Sequence, residues 1–475
     1  MAEHELEKIF NPRSIAIVGA SEKRGMSGRQ FFEGLIEYGY QGDVYPVNPK
    51  RSEILGRKTY ADIKDIPGTV DYVISCIPAP HVLDLVEGCS QKGVKAIHFF
   101  TARFSETGRP EAAQLEKELL KTAQQKGIRI IGPNCMGLYH PRKGISFSDA
   151  LPKESGSAGL ISQSGQIAEE LSRYAALRGV YFNKAVSYGN ALDFNECDFL
   201  DYFAQDPDIS IILMYIEGIK DGDKFFKKLQ RAARVKPVVI MKGGRGKSGS
   251  RAVASHTASM AGSLEIIEGL IRQAGAVSTS SLEELIDIAA CFYHLPPITG
   301  FRVGVGGGGG GASVLSADQC EEAGLDVIPL PDEIKNKLRE KGSSIWDWIG
   351  NPVDMSIRDR ADFMPGHVLE LMAVDPHFDL LIAIMMDPHH EHQKSITPED
   401  SLKAFRFDAC IDKPILAVLP DKAMGADNYD HWSWKTLCEM RTLLLKQGIP
   451  FFPTIKRAAV AAYKAAEYCA LKDRK

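Results

Sequence analysis

No uninterrupted apolar run in this 475-residue sequence reaches the roughly 18 residues that a membrane-spanning helix needs, so no membrane is expected as a partner. The first ten residues, MAEHELEKIF, are too charged for a secretory signal peptide. Nine cysteines are present without any CxxC spacing, and an odd number cannot all pair internally, so reduced thiols and a cytoplasmic setting are expected. There is little charge imbalance: 57 Lys and Arg against 61 Asp and Glu leave a net charge of -4, with the two signs interspersed. That excludes the basic footprint of a nucleic-acid binder. What remains is an ordinary globular composition, 44% hydrophobic and 25% charged, in a chain long enough for about three domains.

The first third alternates apolar bursts with helix-like stretches. The bursts run from Ser14 to Val18, Val44 to Val47, Tyr72 to Ile77, Val94 to Phe100 and Ile128 to Ile131. Strands separated by amphipathic helices imply βαβ units and a parallel sheet. The first burst enters Gly19-Ala20-Ser21, with Gly25 and Gly28 before a helix over Gln30 to Ile36. Such a turn is either an ordinary strand-to-helix connection or a seat for an anionic ligand at a helix start. Its spacing is not GxGxxG. The second burst ends in Pro46-Val47-Asn48-Pro49-Lys50, where an NAD site needs an acidic residue. Lys50 favours a phosphate there instead and disfavours an NAD-dependent oxidoreductase.

The middle third repeats the alternation over Gly159 to Ile161, Ala185 to Val186, Ile209 to Ile216 and Val238 to Met241. Ser162-Gln163-Ser164-Gly165 follows the first of these and opens a helix from Gln166 to Ala176. It reads either as a serine N-cap or as a phosphate seat built from N–H groups, hydroxyls and the helix dipole. Ser187-Tyr188-Gly189-Asn190 and Ile216-Glu217-Gly218 end neighbouring strands, so polar groups converge on one sheet edge. Glu217 is either a solvated strand-end acid or a carboxylate that fixes a histidine tautomer. Lys242-Gly243-Gly244-Arg245-Gly246-Lys247-Ser248-Gly249 then leads to Ser255-His256-Thr257. Gly246-Lys247-Ser248 is not a P-loop ending, because Met241 stands where the motif needs glycine. The segment reads as a flexible cationic approach to His256, which we read as a phosphate carrier.

In the last third, Pro296 to Gly300 reads as a linker. Arg302-Val303-Gly304-Val305 enters the run Gly306 to Gly311, followed by a helix over Ala312 to Ala323. Between a strand and a helix, Gly308, Gly309 and Gly310 suit a close backbone approach to an anion better than they suit low complexity. Further strands are expected over Asp326 to Ile328, Asp379 to Met385, Pro414 to Leu419 and Phe451 to Phe452. His389, His390 and His392 read as a polar loop, with substrate contact as the alternative, and no metal site is assigned. Trp346 and Trp348 read as packing or rim residues, and Cys135 as a small buried side chain rather than a nucleophile.

Ile17 to Ser21, Val44 to Lys50 and Gly132-Pro133-Asn134-Cys135-Met136-Gly137 together resemble the CoA-binding domain of the NDP-forming acyl-CoA synthetases, relatives of the succinyl-CoA synthetase α subunit. The resemblance extends through the His256 segment, Asn351-Pro352-Val353-Asp354 and Gly448 to Thr454, so it covers almost the whole chain. It implies an α/β protein with a Rossmann-like CoA-binding domain (1–145), a phosphohistidine-bearing domain (146–295) and a second flavodoxin-like domain (300–475). It further implies that Gly19, Ser21, Lys50, Ile77 and Pro78 line a coenzyme A site, with Asn134 near the thiol end and Glu217 supporting phosphorylated His256. One departure is Arg103, in Thr101 to Glu106, where the family usually carries glycine. No region is left for the family's ATP-grasp domain. ADP or ATP and Mg²⁺ are therefore expected on a separate β subunit, in an α2β2 assembly acting on an acyl-CoA or carboxylic acid. A non-catalytic CoA-binding or regulatory protein of the same fold is the alternative, opposed by the presence of His256, Glu217, the Ser162 turn and the glycine run.

Overall fold

The computed structural model describes residues 4–257, 263–354, 365–385, 394–409, 413–420 and 430–473, with the backbone only for 254–257, 365, 409 and 473. The chain divides into two compact units, Met1–Leu285 and Ile286–Lys475.

The first unit holds two sheets. Strands β1 (Ser14–Val18) and β2 (Asp43–Val47) are followed by a small antiparallel ribbon of β3 (Glu53–Ile54) and β4 (Arg57–Lys58). Next come β5 (Tyr72–Ser75), β6 (Ala96–Phe99) and β7 (Arg129–Ile131). The sheet order is β2-β1-β5-β6-β7, with every pairing parallel. Every residue of β1, Ser-Ile-Ala-Ile-Val, is buried. That is the pattern of a parallel strand covered on both faces. On one face Ala16, Val73, Ile97 and Phe99 pack with Val82, Val86 and Leu119 from the helices Val82–Gln91 and Pro110–Gln125. Each such aliphatic side chain contributes about 1.5–3 kcal/mol by burial.

The second sheet contains β8 (Gly137–Tyr139), β9 (Ala158–Ser162), β10 (Phe182–Ser187), β11 (Ile211–Ile216), β12 (Val238–Lys242) and β13 (Val277–Thr279). Its order is β13-β12-β11-β9-β10-β8, parallel apart from β8 against β10. Sequence reading misses β8, for it is only Gly-Leu-Tyr and lacks a readable alternation. Its glycine is set by packing: φ at Gly137 is +77°, and a Cβ there would lie 2.5 Å from the His98 ring.

The cationic approach to His256 is expected as a flexible loop, yet Lys247–Thr257 is α-helical. Ser250 N–H donates to the Gly246 carbonyl at 2.8 Å, Ser250 Oγ to the Gly244 carbonyl at 2.8 Å, and Val253 is buried. One buried valine and a hydroxyl that ties back to the glycine turn favour the first helical turns over an open loop. His256 lies in the last turn of this helix, where the backbone is described.

The second unit contains β14 (Val303–Gly307), β15 (Leu380–Ile384), β16 (Ile415–Val418) and β17 (Phe451–Phe452), parallel and in that order. The expected strand over Asp326 to Ile328 is reduced to one bridge between Arg302 and Asp326. Asn351 accounts for the difference. Its Nδ2 donates to the carbonyls of Val303 and Ile328, each at 2.8 Å, and its Oδ1 accepts Val305 N–H at 2.8 Å. A side-chain amide thus takes the backbone groups that a strand partner would use.

Candidate functional site

Three of the expected ligand loops leave adjacent strands at the carboxyl edge of the first sheet. Val18 is in register with Val47 on one side and Ser75 on the other. Gly19 and Ala20 N–H donate to the Val47 carbonyl at 3.0 and 3.2 Å. Asn48 Nδ2 donates to the Ala20 carbonyl at 2.8 Å, while its Oδ1 accepts Lys50 N–H at 2.9 Å. Gly19 has φ +91°, and a Cβ on Gly28 would sit 2.0 Å from the Gly19 carbonyl. Glycine at both positions lets the helix Ser27–Glu37 start against the strand end, and no side chain caps that start.

A cavity of about 1430 Å³ opens beside this edge. Ile77, Pro78, Asn134, Gln163, Ser164 and Gly165, all expected as site residues, line it together. So do Cys76, Thr101, Arg103, Met136 and Asn190. Gly19, Ser21, Lys50, Ser162 and Glu217 are not among its lining residues. Lys50 is exposed at the neighbouring strand end, and Ser21 Oγ accepts Lys23 N–H at 3.1 Å. Burial pushes the Cys76 thiol up to about 12 and drives Cys135 higher still. Neither is a ready nucleophile at neutral pH.

At the second sheet, Ser162 pairs in register with Ser187 and Tyr215. Ser164 Oγ accepts Ile167 N–H at 3.4 Å as the N-cap of helix Gly165–Ala176. Ser162 Oγ donates to the Ser164 carbonyl at 2.7 Å. Both hydroxyls are therefore engaged inside the turn, and the capping reading holds for Ser164. The polar groups left for a ligand are the first helical N–H groups, at Gly165 and Gln166, and the Gln163 amide.

Glu217 is 5% exposed, and its backbone N–H donates to Gln163 Oε1 at 2.7 Å. Its carboxylate neighbours Tyr215 and Lys242: burial and then the Glu217 charge raise the Tyr215 pKa, while burial lowers that of Lys242 against the pull of Glu217. Ile216 is in register with Lys242, and Gly243 N–H donates to the Ile216 carbonyl at 2.8 Å. The strand that leads to the His256 helix therefore ends next to Glu217.

Sequence reasoning missed a polar clamp on the cavity wall. Asn190 Nδ2 donates to Glu106 at 2.7 Å and to Glu116 at 3.1 Å. Glu106 also accepts the N–H groups of Arg103 at 2.5 Å and Phe104 at 3.1 Å. Ser105 donates to Glu116 through its hydroxyl at 2.8 Å. Loops after β6 and β10 are thereby tied together, and the helix Lys247–Thr257 lies beside the Ser105–Thr107 turn. Arg103 has φ +80°, the left-handed region that suits glycine. The only signal for this clamp was the position of Asn190 at a strand end; its acidic partners are 84 and 74 residues away.

In the second unit the glycine run is shaped by sterics. Gly307 and Gly308 have φ +103° and +82°, and a Cβ on Gly307 would come 2.1 Å from the Ile384 carbonyl oxygen. Gly309 is the N-cap of helix Gly310–Glu322, and Gly310 N–H donates to Asp354 Oδ1 at 2.9 Å. Trp346 packs on the core of this unit with Arg339 over its ring at 5.2 Å, and Trp348 is 71% exposed. His389, His390 and His392 lie outside the described residues. Among the described residues no group of histidine, cysteine and acidic side chains is placed to hold a metal ion.

Comparison with known proteins identifies the domains and the family. A CoA binding domain profile matches residues 13–141, and a succinyl-CoA ligase like flavodoxin domain profile matches 155–292. The α subunit of acetate–CoA ligase (ADP-forming) II from Pyrococcus furiosus is 34% identical over 96% of each chain. Acetate–CoA ligase (ADP-forming) I from Archaeoglobus fulgidus is 36% identical over 80% of this chain, a match that spans 55% of the longer relative. Among solved structures, the Ca. Korarchaeum cryptofilum dinucleotide forming acetyl-coenzyme A synthetase 1, in complex with phosphate and ADP, superposes with a TM-score of 0.83 at 30% identity, covering 98% of this chain and 97% of that one. Relatives that match along nearly the whole chain, and a solved structure of the same fold, establish that the chain is a ligase of the ADP-forming acetate–CoA ligase family, of the α-subunit type.

Proposed function

We propose that this chain interconverts an acyl-CoA, phosphate and ADP with the free acid, CoA and ATP, through an acyl phosphate and a phosphohistidine at His256. The observation that carries the reading is the shared cavity, where Ile77, Pro78 and Asn134 from the first sheet meet Gln163 and Gly165 from the second. Coenzyme A is a substrate of this reaction. The residues fit it: the volume of about 1430 Å³ suits a long ligand, and the uncapped start of helix Ser27–Glu37 suits its phosphates. Gly19, Ser21 and Lys50 would hold the phosphate-bearing end, and Asn134 the thiol end.

Phosphate would sit at the open N–H groups of Gly165 and Gln166. There it attacks the thioester, and backbone dipoles stabilise the charge that develops without reorganising. Glu217 would accept the imidazole N–H of His256 and leave the other ring nitrogen free to take the phosphoryl group. Ser162 and Ser164 would act through the shape of the turn that they cap. We assign Gly308, Gly309 and Gly310 as a separate oxyanion-binding turn, with Asp354 holding one of its N–H groups.

The final transfer needs ADP or ATP and Mg²⁺, which we place on an ATP-grasp partner, a β subunit in an α2β2 assembly. The α-subunit designation of the Pyrococcus relative supports this, while the longer Archaeoglobus relative makes a fused partner the other arrangement. We divide the chain functionally into 1–145, 146–295 and 300–475. A cytoplasmic setting fits the free thiols of the described cysteines. No described helix is long and apolar enough to cross a membrane. The test is to incubate the purified chain with radiolabelled acetyl phosphate. Acid-labile, base-stable labelling is expected in wild type and none in His256→Ala; equal labelling of the two removes the phosphohistidine.

A further inference from the structure

The two hydroxyls of the Ser162–Gly165 turn are used locally, whereas the amide of Gln163 is divided between two places. Its backbone N–H donates to the Tyr215 carbonyl at 2.9 Å, which fixes the residue between β9 and β11. The residue as a whole is 5% exposed. Oε1 accepts two backbone N–H groups, from Glu217 at 2.7 Å and Gly218 at 3.1 Å. Two donors on one atom identify it as the oxygen, so the orientation of the amide is set by its network. Nε2 is then left with two protons and, among the described residues, no acceptor. The residue lines the cavity next to Gly165 and Gln166, whose N–H groups open the helix. That donor is therefore free for a ligand in the cavity that Gln163 lines, while the other end of the same amide is held by the backbone.

We propose that Gln163 is a catalytic residue whose Nε2 donates to the substrate oxyanion, while its Oε1 holds Glu217 in place. One side chain would thus serve both the thioester and the support of the phosphohistidine. This rests on the reading of the cavity as the acyl-transfer site. In that step an oxygen of hydrogen phosphate forms a bond to the thioester carbonyl carbon, and the carbonyl electron pair moves onto its oxygen. That oxygen accepts the Nε2 hydrogen bond. Collapse of the adduct restores the carbonyl and breaks the C–S bond. The CoA sulfur leaves with the electron pair and takes the proton from the phosphate, giving acyl phosphate and CoA thiol. When the acyl phosphate then passes its phosphoryl group to His256, Glu217 must already be in position. The Glu217 and Gly218 N–H bonds to Oε1 supply that constraint.

Two variants separate the halves of the amide. Gln163→Glu keeps an acceptor for both N–H groups but replaces the donor with oxygen. Gln163→Met keeps the length and loses both functions. Acyl phosphate formation from acetyl-CoA and phosphate should fall roughly 10²- to 10³-fold in kcat in both variants, the loss typical of one oxyanion donor. Calorimetric CoA affinity should stay within about threefold in both, since the CoA loops are untouched. His256 labelling at saturating acetyl phosphate should persist within roughly tenfold in Gln163→Glu and fall about 10²-fold in Gln163→Met, which releases Glu217. Wild-type acyl phosphate formation in Gln163→Glu overturns the donor role. Equal loss of both steps in both variants, with a lowered Tm, leaves only a structural clamp and overturns it too. A wild-type chain that binds no CoA and makes no acyl phosphate overturns the underlying reading instead.

Discussion

The Ser162–Gly165 turn of the first unit and the Gly306–Gly311 turn of the second share a sequence pattern: small residues between a buried strand and a helix. Their structures differ in what meets the helix start. In the first, Ser164 caps the third helical N–H, and the first two N–H groups border a cavity. In the second, Asp354, 44 residues away, already accepts the Gly310 N–H at 2.9 Å. A carboxylate stands where a phosphate is expected to sit. Local sequence thus identifies an anion-compatible turn, and a distant side chain decides whether its first donor is still available.

Acid should separate the two units most strongly. His98 and His140 both lie in the first unit, and burial lowers each to about 4. An unfolded histidine titrates near 6.5. The folded state therefore binds fewer protons between those values, and stability falls as pH falls from 6.5 to 4, by up to about 3 kcal/mol per histidine. Above 6.5 their contribution is complete and flat. Chemical denaturation of the full chain at pH 7.5 and pH 5, followed by hydrogen exchange at resolved peptides, should show loss of protection at residues 96–99 and 137–140 first. Earlier loss in the second unit contradicts the assignment.

Gly307→Val tests the steric half of the comparison. With φ +103° and a carbonyl 2.1 Å from the new Cβ, the variant should lose about 3 kcal/mol or more by urea denaturation of the second unit. A loss below about 1 kcal/mol would show that the run tolerates side chains and is not sterically determined.

Asp354→Ala asks whether the second turn can be made to resemble the first. Removing the cap should cost about 1 kcal/mol. Because the freed N–H can then take an anion, sulfate should restore more stability to the variant than it adds to wild type. Equal sulfate effects would mean that Asp354 does not control access to the turn.

Arg103→Gly is the smallest effect, and its sign is informative. A non-glycine residue at φ +80° carries about 1 kcal/mol of strain, so the variant should raise Tm slightly. A lower Tm would show that the arginine side chain, rather than the Glu106 clamp, holds the loop.

Much of the fold was legible because buried parallel strands advertise themselves: Ser14–Val18 and Phe451–Phe452 match the reading residue for residue. What escaped was set by contacts between distant residues. β8 depends on Gly137 meeting His98, and the lost strand at Asp326 depends on the amide of Asn351. At the site, the turns were readable from glycine and strand ends. The Asn190 clamp and the Gln163 bond to Glu217 were not, because each joins loops of different strands through side-chain rotamers that carry no local pattern.

We propose above that CoA chemistry and phosphorylation of His256 belong to one chain. The most direct measurement supplies acetyl-CoA and radiolabelled inorganic phosphate to the purified chain, without nucleotide or partner subunit, and follows label on the protein together with free CoA thiol. Acid-labile label on His256 with stoichiometric thiol release is expected, and neither in a chain given phosphate without acetyl-CoA. Thiol release with no label on His256, or label that persists in His256→Ala, would contradict it.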